Sequence, residues 1–267
     1  MIDITGSKVG ISVVVTVLNE EKNIRDLLVS LVSQEQPMEI IIIDALSTDK
    51  TMGIIEEYAS KYCFVRYARK QSSRGAGRNL GVSMAQYDYV AFIDGDGVAG
   101  DNWLKNLRQF AGKYDVVAGA VHNTGRNKFS LERLKLFYKG FEVTYPSANL
   151  MYSVNLFNNI GGFDEYFVTA EDIDLNIRAV KADARTAFCP NCIVYSKVKD
   201  NSAAFRRQAY WNGYGRMQLK LKYGKSLKIE KELKIKNFFE PKYIIRNFCG
   251  LRGYMKCAMQ YRPKKKS

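Results

Sequence analysis

Three apolar runs in the first hundred residues each end on acidic side chains, and that repetition restricts the fold more than any other feature. Gly10–Leu18 is Gly-Ile-Ser-Val-Val-Val-Thr-Val-Leu and gives way to Asn19-Glu20-Glu21. Ile40–Ile43 stops at Asp44, and Tyr-Val-Ala-Phe-Ile from Tyr89 stops at Asp94-Gly95-Asp96-Gly97. Continuous apolar runs of this length, rich in β-branched residues, suit strands buried on both faces. Between the first two runs, Ile24, Leu27, Leu28 and Leu31 recur at helical spacing. After Asp44, Ser47-Thr48-Asp49 offers N-cap chemistry for a helix with Ile54, Ile55, Tyr58 and Tyr62 on one face. A short strand at Val65–Tyr67 and a helix over Gly75–Ala85 complete the order β-α-β-α-β-α-β, which predicts a mostly parallel sheet flanked by helices. Ligands of such sheets bind beyond the carboxyl ends of the strands, where these acids would gather.

Asp94 and Asp96 are two residues apart and share a side while the chain stays extended. Neighbouring carboxylates repel, and a hard divalent cation that also holds a phosphate resolves the repulsion. The plainer reading of Asp-Gly is a tight turn. A dinucleotide-binding fingerprint is missing: no glycine follows the first strand, and Gly75, Gly77 and Gly81 follow a segment that is not a strand. A calcium loop fails too, because Val98 and Ala99 stand where a ligand and a glycine belong.

The 267 residues are 46% apolar, enough for one substantial core. No apolar run reaches the roughly 18 residues needed to cross a bilayer, and the N-terminus does not read as a secretion signal, so a cytoplasmic protein is expected. Five cysteines, an odd number, argue against a secreted disulfide framework. Cys189-Pro-Asn-Cys192 lacks the second pair of a zinc site and the context of a redox motif, and reads as packing. The net charge of +14 is uneven: Met1–Ser196 hold 21 Lys and Arg against 23 Asp and Glu, whereas Lys197–Ser267 hold 20 against 4. The basic last quarter suits an anionic partner and marks a module boundary near residue 197.

Five segments carry a family resemblance: Thr16-Val-Leu-Asn-Glu-Glu21, Ile43-Asp-Ala-Leu-Ser-Thr-Asp-Lys-Thr51, Gly75-Ala-Gly-Arg-Asn-Leu-Gly81, Phe92-Ile-Asp-Gly-Asp96, and Gly161-Gly-Phe-Asp-Glu165 with Glu171-Asp-Ile-Asp-Leu175. In order and spacing the chain resembles the family-2 glycosyltransferases with the GT-A fold, over roughly residues 9 to 197. The resemblance implies a Rossmann-like α/β domain at 1–197 and sugar transfer from a nucleotide diphosphate sugar with inversion. It implies donor contacts from Thr16, Leu18, Glu20, Asp44, Arg78, Asp94 and Gly95, with Asp96 holding Mn²⁺ or Mg²⁺. Asp172 is then the expected general base, with Glu171 holding the acceptor or the base. Asp174 is a structural acid, and Ser147–Asn149 line the donor sugar. Many relatives carry a third acid where this chain has Gly97, and a histidine where it has Tyr195-Ser196-Lys197, which leaves a third protein ligand for the metal in question.

Other features stay open between two readings. Arg78 is either a base or diphosphate contact or a solvated helix residue. Glu171 and Asp172 also fit helix N-terminal acids that offset the macrodipole. The lone His122 ends a strand at Val116–Val121 and suits either a surface position or a touch on the diphosphate. Phe129, Leu134, Phe137, Tyr138 and Phe141 recur at near-helical spacing, as packing, an acceptor wall or a membrane contact. Arg207, Gln208 and Trp211 are weak site candidates, or part of a solvated basic helix with a buried tryptophan. Residues 198–267 are expected to form a basic helical, membrane-interfacial extension. There Phe238, Phe239, Tyr243, Ile244, Ile245, Phe248, Leu251, Tyr254 and Met255 alternate with Lys242, Arg246, Arg252 and Lys256, and Lys264–Lys266 follow. The expected partners are a nucleotide-sugar donor, a glycan or lipid-linked acceptor and an anionic membrane surface, with no specific nucleic acid. The rival reading is a non-catalytic module of the same fold that binds anionic membrane or nucleic acid through its basic tail.

Overall fold

The computed structural model describes residues 8–124, 135–197, 201–229 and 240–261. The predicted alternation forms as β1 (Ile11–Val17), α1 (Ile24–Val32), β2 (Met38–Asp44), α2 (Thr51–Lys61), β3 (Val65–Arg69), α3 (Arg74–Ser83) and β4 (Tyr89–Asp94). A short β5 (Gly97–Ala99), α4 (Trp103–Arg108) and the long β6 (Val116–Thr124) follow. Next come the small β7 (Leu136–Tyr138) and β8 (Phe141–Glu142), then β9 (Leu150–Ser153), α5 (Val154–Asn159), α6 (Glu171–Lys181) and β10 (Thr186–Lys197). The chain closes with α7 (Ser202–Tyr223), β11 (Lys228–Ile229) and α8 (Pro241–Gln260).

Eight strands make one sheet in the order β3-β2-β1-β4-β9-β6-β10-β5. β3, β2, β1 and β4 are parallel, and β9 joins β4 to β6 antiparallel to both. Alternation along each strand feeds two cores: Val13, Val15, Val17, Ala91 and Ile93 face one side with α1 and α4, while Val14, Val90 and Phe92 face the other. The register is flush where the site lies: Val17 pairs with Asp44 and Thr16 pairs with Asp94. Asp44 and Asp94 therefore flank the carboxyl end of β1.

The glycines of the Gly75–Gly81 motif have a packing reason. A Cβ at Gly77 would lie 2.9 Å from Thr16 Cγ2, and one at Gly81 would lie 2.3 Å from Val14 Cγ1. Helix α3 thus rests its backbone on β1, one turn between the two contacts, which carries Arg78 to the sheet's rim. Ser73 caps this helix by accepting from Ala76 N.

Four expectations need correction. Phe137, Tyr138 and Phe141 lie in a hairpin, not a helix, while Phe129 and Leu134 fall outside the described residues. Lys139 and Gly140, both at positive φ (49° and 87°), form a two-residue reversal that overrides the i, i+3, i+4 pattern. Cys189 and Cys192 are joined by a disulfide rather than packed as thiols. It spans the point where the β10 register against β6 shifts, so the residues between them loop out of the ladder and bring the two sulfurs together. Trp211 is exposed on α7, not buried, and meets Tyr210 and Tyr214 edge to face. The helix expected to run to Ala85 ends at Ser83, because Met84 and Ala85 close it with bonds back to Gly81 and Val82.

Candidate active site

Arg78 is the hub of the rim. Its guanidinium is only 3% exposed; Nη2 donates to Asp94 Oδ1 and Nη1 to Glu171 Oε1, each at 2.8 Å. It lies over the Phe163 ring, 5.3 Å from the centroid. One side chain from α3 thereby ties the end of β4 to the first turn of α6, where Glu171 stands 93 positions after Arg78. Burial alone would pull the guanidinium pKa down, but Asp94, Glu171 and Asp172 outweigh it and hold the charge firmly. Asn79, next along α3, fixes the preceding turn: it donates to Phe163 O and accepts from Phe163 N.

Asp172 is recessed but still partly accessible. Its Oδ2 accepts from Ser147 N at 3.2 Å and its Oδ1 from Ile173 N at 2.8 Å. Burial, then the neighbouring Glu171 charge, push its pKa up to about 6, against the pull of Arg78 and the two backbone donors. A carboxylate tuned there is mostly ionised at neutral pH yet basic enough to take a proton, which is what a general base needs. The residue before this pair, Ala170, sits at φ 63°, a left-handed conformation that a non-glycine residue adopts only under constraint. The constraint comes from α7: a Cβ at Gly215 would lie 2.8 Å from Thr169 Cγ2 and 3.0 Å from Ala170 Cβ.

Asp174 belongs to structure. Fully buried, it pairs with Arg178 and Lys222 and accepts from Tyr223 OH, so it clamps α7 onto α6. Asn149, also fully buried, accepts from Trp103 Nε1 and donates to the carbonyls of Ala120 and Cys192. That bonding holds the Ser147–Asn149 turn, and with it the amide that reaches Asp172.

The other expected donor residues surround the ends of β1 and β2. Asp44 is fully buried; both its oxygens accept from Ser47 N, and Arg69 Nε donates to Oδ2 at 3.1 Å. Thr16 packs on α3 at Gly77. Leu18 is exposed, and so is Leu46, held at φ 68° on the neighbouring loop. The two loops are laced together: Asn19 N donates to Ser47 Oγ, Asn19 Oδ1 accepts from Thr48 N, and Glu20 N donates to Thr51 Oγ1. Gly95 and Asp96 form the turn between β4 and β5, and a Cβ at Gly95 would come within 2.9 Å of Val17 and 3.2 Å of Glu20. His122 is exposed at the far end of β6, against Tyr195. Arg207 and Gln208 are exposed on α7.

No three His, Cys, Asp or Glu side chains converge as a metal cage among the described residues. The rim fits a different mode. Asp94, Asp96, Glu171 and Asp172 would repel a diphosphate, and Asp94 is already engaged by Arg78. A cation completed by phosphate oxygens would offset that repulsion without needing a cage of protein ligands. A cleft of about 200 Å³ lies elsewhere, beneath the β7–β8 turn between Phe141, Tyr145, Asn176 and Phe188, and none of the four acids lines it.

Sequence reasoning alone misses Arg69 and the Lys222–Tyr223 clamp. None carries a local signal; each acquires its place from a segment far away in the chain.

Comparison with known proteins agrees with this architecture. The model of the family "Glycosyl transferase family 2" matches residues 12–173. The poly(ribitol-phosphate) β-N-acetylglucosaminyltransferase TarS of Staphylococcus aureus is 28% identical over 149 residues, which is 54% of this chain and 26% of TarS. The chain therefore spans about a quarter of that relative's length. The dolichyl N-acetyl-α-D-glucosaminyl phosphate 3-β-D-2,3-diacetamido-2,3-dideoxy-β-D-glucuronosyltransferase of Methanococcus voltae is 24% identical over 225 residues, covering 74% of this chain and 70% of that protein. Among solved structures, TarS 1–349 with UDP-GlcNAc superposes with a TM-score of 0.60 at 21% identity, covering 90% of this chain and 72% of that one. The mannosyltransferase PcManGT of Pyrobaculum calidifontis, with GDP-Man and Mn²⁺, gives 0.65 at 14% identity, covering 95% and 76%. The sheet order and flanking helices are those of the GT-A fold. With more than half of its length matched by the family model, the chain belongs to glycosyl transferase family 2.

Proposed function

We propose that the chain is an inverting, metal-dependent glycosyltransferase. It moves a sugar from a nucleotide diphosphate sugar, a UDP-sugar in the first instance, to a glycan or lipid-linked acceptor. The observation that carries this reading is the double ion pair of Arg78, which sets the donor-side Asp94 and the acceptor-side Glu171 at either end of one guanidinium.

In this reading the nucleoside lies over the laced loops, with Thr16, Leu18 and Glu20 beside it. Asp44, held by Ser47 and Arg69, shapes the base end of the pocket. Asp94 and the close-packed Gly95 meet the ribose and the diphosphate. Asp96 holds Mn²⁺ or Mg²⁺, which when bound neutralises the leaving diphosphate. Glu171 orients the acceptor, and Asp172 takes the proton from its hydroxyl as that oxygen attacks the anomeric carbon. Attack from the side opposite the diphosphate inverts the configuration there. Because Ser147 N and Ile173 N hold both carboxylate oxygens, Asp172 meets the acceptor without first reorganising.

Residues 198–267 remain in this proposal a basic extension that brings a cytoplasmic enzyme to the inner face of the membrane. No helix among the described residues is long and apolar enough to cross a bilayer. The decisive experiment incubates the protein with a panel of nucleotide sugars and Mn²⁺ and follows release of the nucleoside diphosphate by mass spectrometry. Turnover that disappears in Asp172→Asn while nucleotide binding persists supports the reading. Absence of turnover with every donor and acceptor tried leaves the rival, a binding module that has kept the fold.

A further inference from the structure

Helix α8 carries an apolar stripe that none of the described residues covers. Ile244, Phe248, Leu251, Met255 and Met259 follow one another at spacings of four, three, four and four, and are 52–62% exposed. Such spacing places them along one side of the helix.

The orientation of that stripe is fixed, because the other side of α8 is locked against α7. A Cβ at Gly213 would lie 1.8 Å from Gly250 O, and one at Gly253 would lie 1.9 Å from Tyr210 O. The two helices are therefore in backbone contact, with Cys257 fully buried in the seam and Tyr214 OH donating to Gln260 Oε1. No rotation of α8 can turn its stripe inward while this seam holds.

Cations border one edge of the stripe. Arg252 and Lys256 flank it on α8, Lys242 and Arg246 lie round towards α7, and no Asp or Glu occurs from Pro241 to Gln260. Arg246 and Lys242 rest against the Tyr243 ring, and Lys220 of α7 against Tyr254. Arg216 of α7 stands near enough to Arg246 that, besides burial, the second guanidinium holds its pKa down. Aromatic rings that carry cations beside a row of large apolar side chains match the boundary between lipid tails and headgroups.

We propose that this face of the α7–α8 pair lies on an anionic phospholipid bilayer, the stripe of α8 entering the acyl boundary and the flanking cations meeting headgroup phosphates. A second copy of the chain is a poorer occupant, since a two-fold contact through α8 would set these cations against one another with no acid on the helix to pair them. A polyanion such as nucleic acid would satisfy the cations and leave the stripe wet. The docked face also bears on the site. Helix α7 runs from the glycine seam to Gly215, which holds Ala170, and on to Lys222 and Tyr223, which clamp Asp174. Docking would hold the entry to Glu171 and Asp172 at a set height above the bilayer. On the transferase reading above, this names the acceptor as one anchored in lipid; the docking surface itself does not depend on that reading.

The test uses the full chain with sonicated vesicles of phosphatidylcholine alone or mixed equally with phosphatidylglycerol, followed by sedimentation, light scattering and nucleotide-sugar hydrolysis in solution. The wild type should sediment with the anionic vesicles only. The double variant Phe248→Glu/Met255→Glu should lose at least about tenfold in vesicle affinity, with helical content and hydrolysis in solution unchanged. Undiminished vesicle binding by that variant overturns the proposal. So does a wild-type dimer that the variant converts to monomer, which would show that a second copy covers the stripe. Vesicle binding that behaves as expected in a protein with no hydrolysis of any donor would sink the transferase reading and leave the docking surface standing.

Discussion

Replacing Asp172 by Asn should stabilise the fold as it removes the activity, and the stabilisation should depend on pH. In the folded chain the Asp172 carboxyl is pushed from 3.8 to about 6, by burial first and by Glu171 second. The sign follows from linkage. Below about pH 4 the group is protonated in both folded and unfolded chains and makes no difference between them. As pH rises towards 6 the unfolded chain ionises first, so stability falls; above 6 the loss is complete. A shift of this size corresponds to about 3 kcal/mol as an upper bound, since the accessible side of the carboxylate is screened by water. Roughly 1 kcal/mol of it should develop between pH 5 and pH 7. Asn keeps the shape, can accept through its oxygen, and carries no charge. Urea denaturation of both proteins without added metal, at pH 5, 6 and 7, should show the advantage of Asp172→Asn growing with pH. Turnover should fall by about 10² to 10⁴, the usual contribution of a positioned base. A stability difference that stays flat with pH would refute the argument that the site holds this carboxyl in a raised state. Retained turnover would refute the base itself.

Three other substitutions probe the same rim. Arg78→Lys keeps the charge but replaces the fork with a single ammonium that cannot serve Asp94 and Glu171 with separate nitrogens; stability should drop by about 1–3 kcal/mol and turnover with it, measured by melting and by donor hydrolysis. Asp96→Ala should abolish the Mn²⁺-dependent part of nucleotide binding in calorimetry. Gly215→Ala forces a methyl group onto Thr169 and Ala170, and should destabilise by about 1–3 kcal/mol and raise the acceptor KM more than the donor KM.

Much of the architecture was legible because its causes are local. A strand buried on both faces needs an unbroken apolar run, so β1, β2 and β4 announced themselves, and so did the acids at their ends. The glycine spacing of α3 was visible as a motif, and its reason, backbone contact with Thr16 and Val14, appears only once β1 lies beneath it. The hairpin of β7 and β8 went the other way: five aromatic and aliphatic residues at helical spacing suggested a helix, and a two-residue turn at Lys139-Gly140 decided otherwise.

By itself the sequence determined the strands and helices from β1 to β4, which carboxylates stand at their ends, and where the basic charge lies, since each depends on residues close together along the chain. Only the tertiary structure decided what those groups face. It turned Arg78 from a free contact into a buried bridge between Asp94 and Glu171, enclosed Asp44 with Arg69, and raised the pKa of Asp172. It also fixed which side of α8 is left exposed. Partner choice and burial depend on separations through space, and no pattern along the chain encodes the distance between residues ninety positions apart.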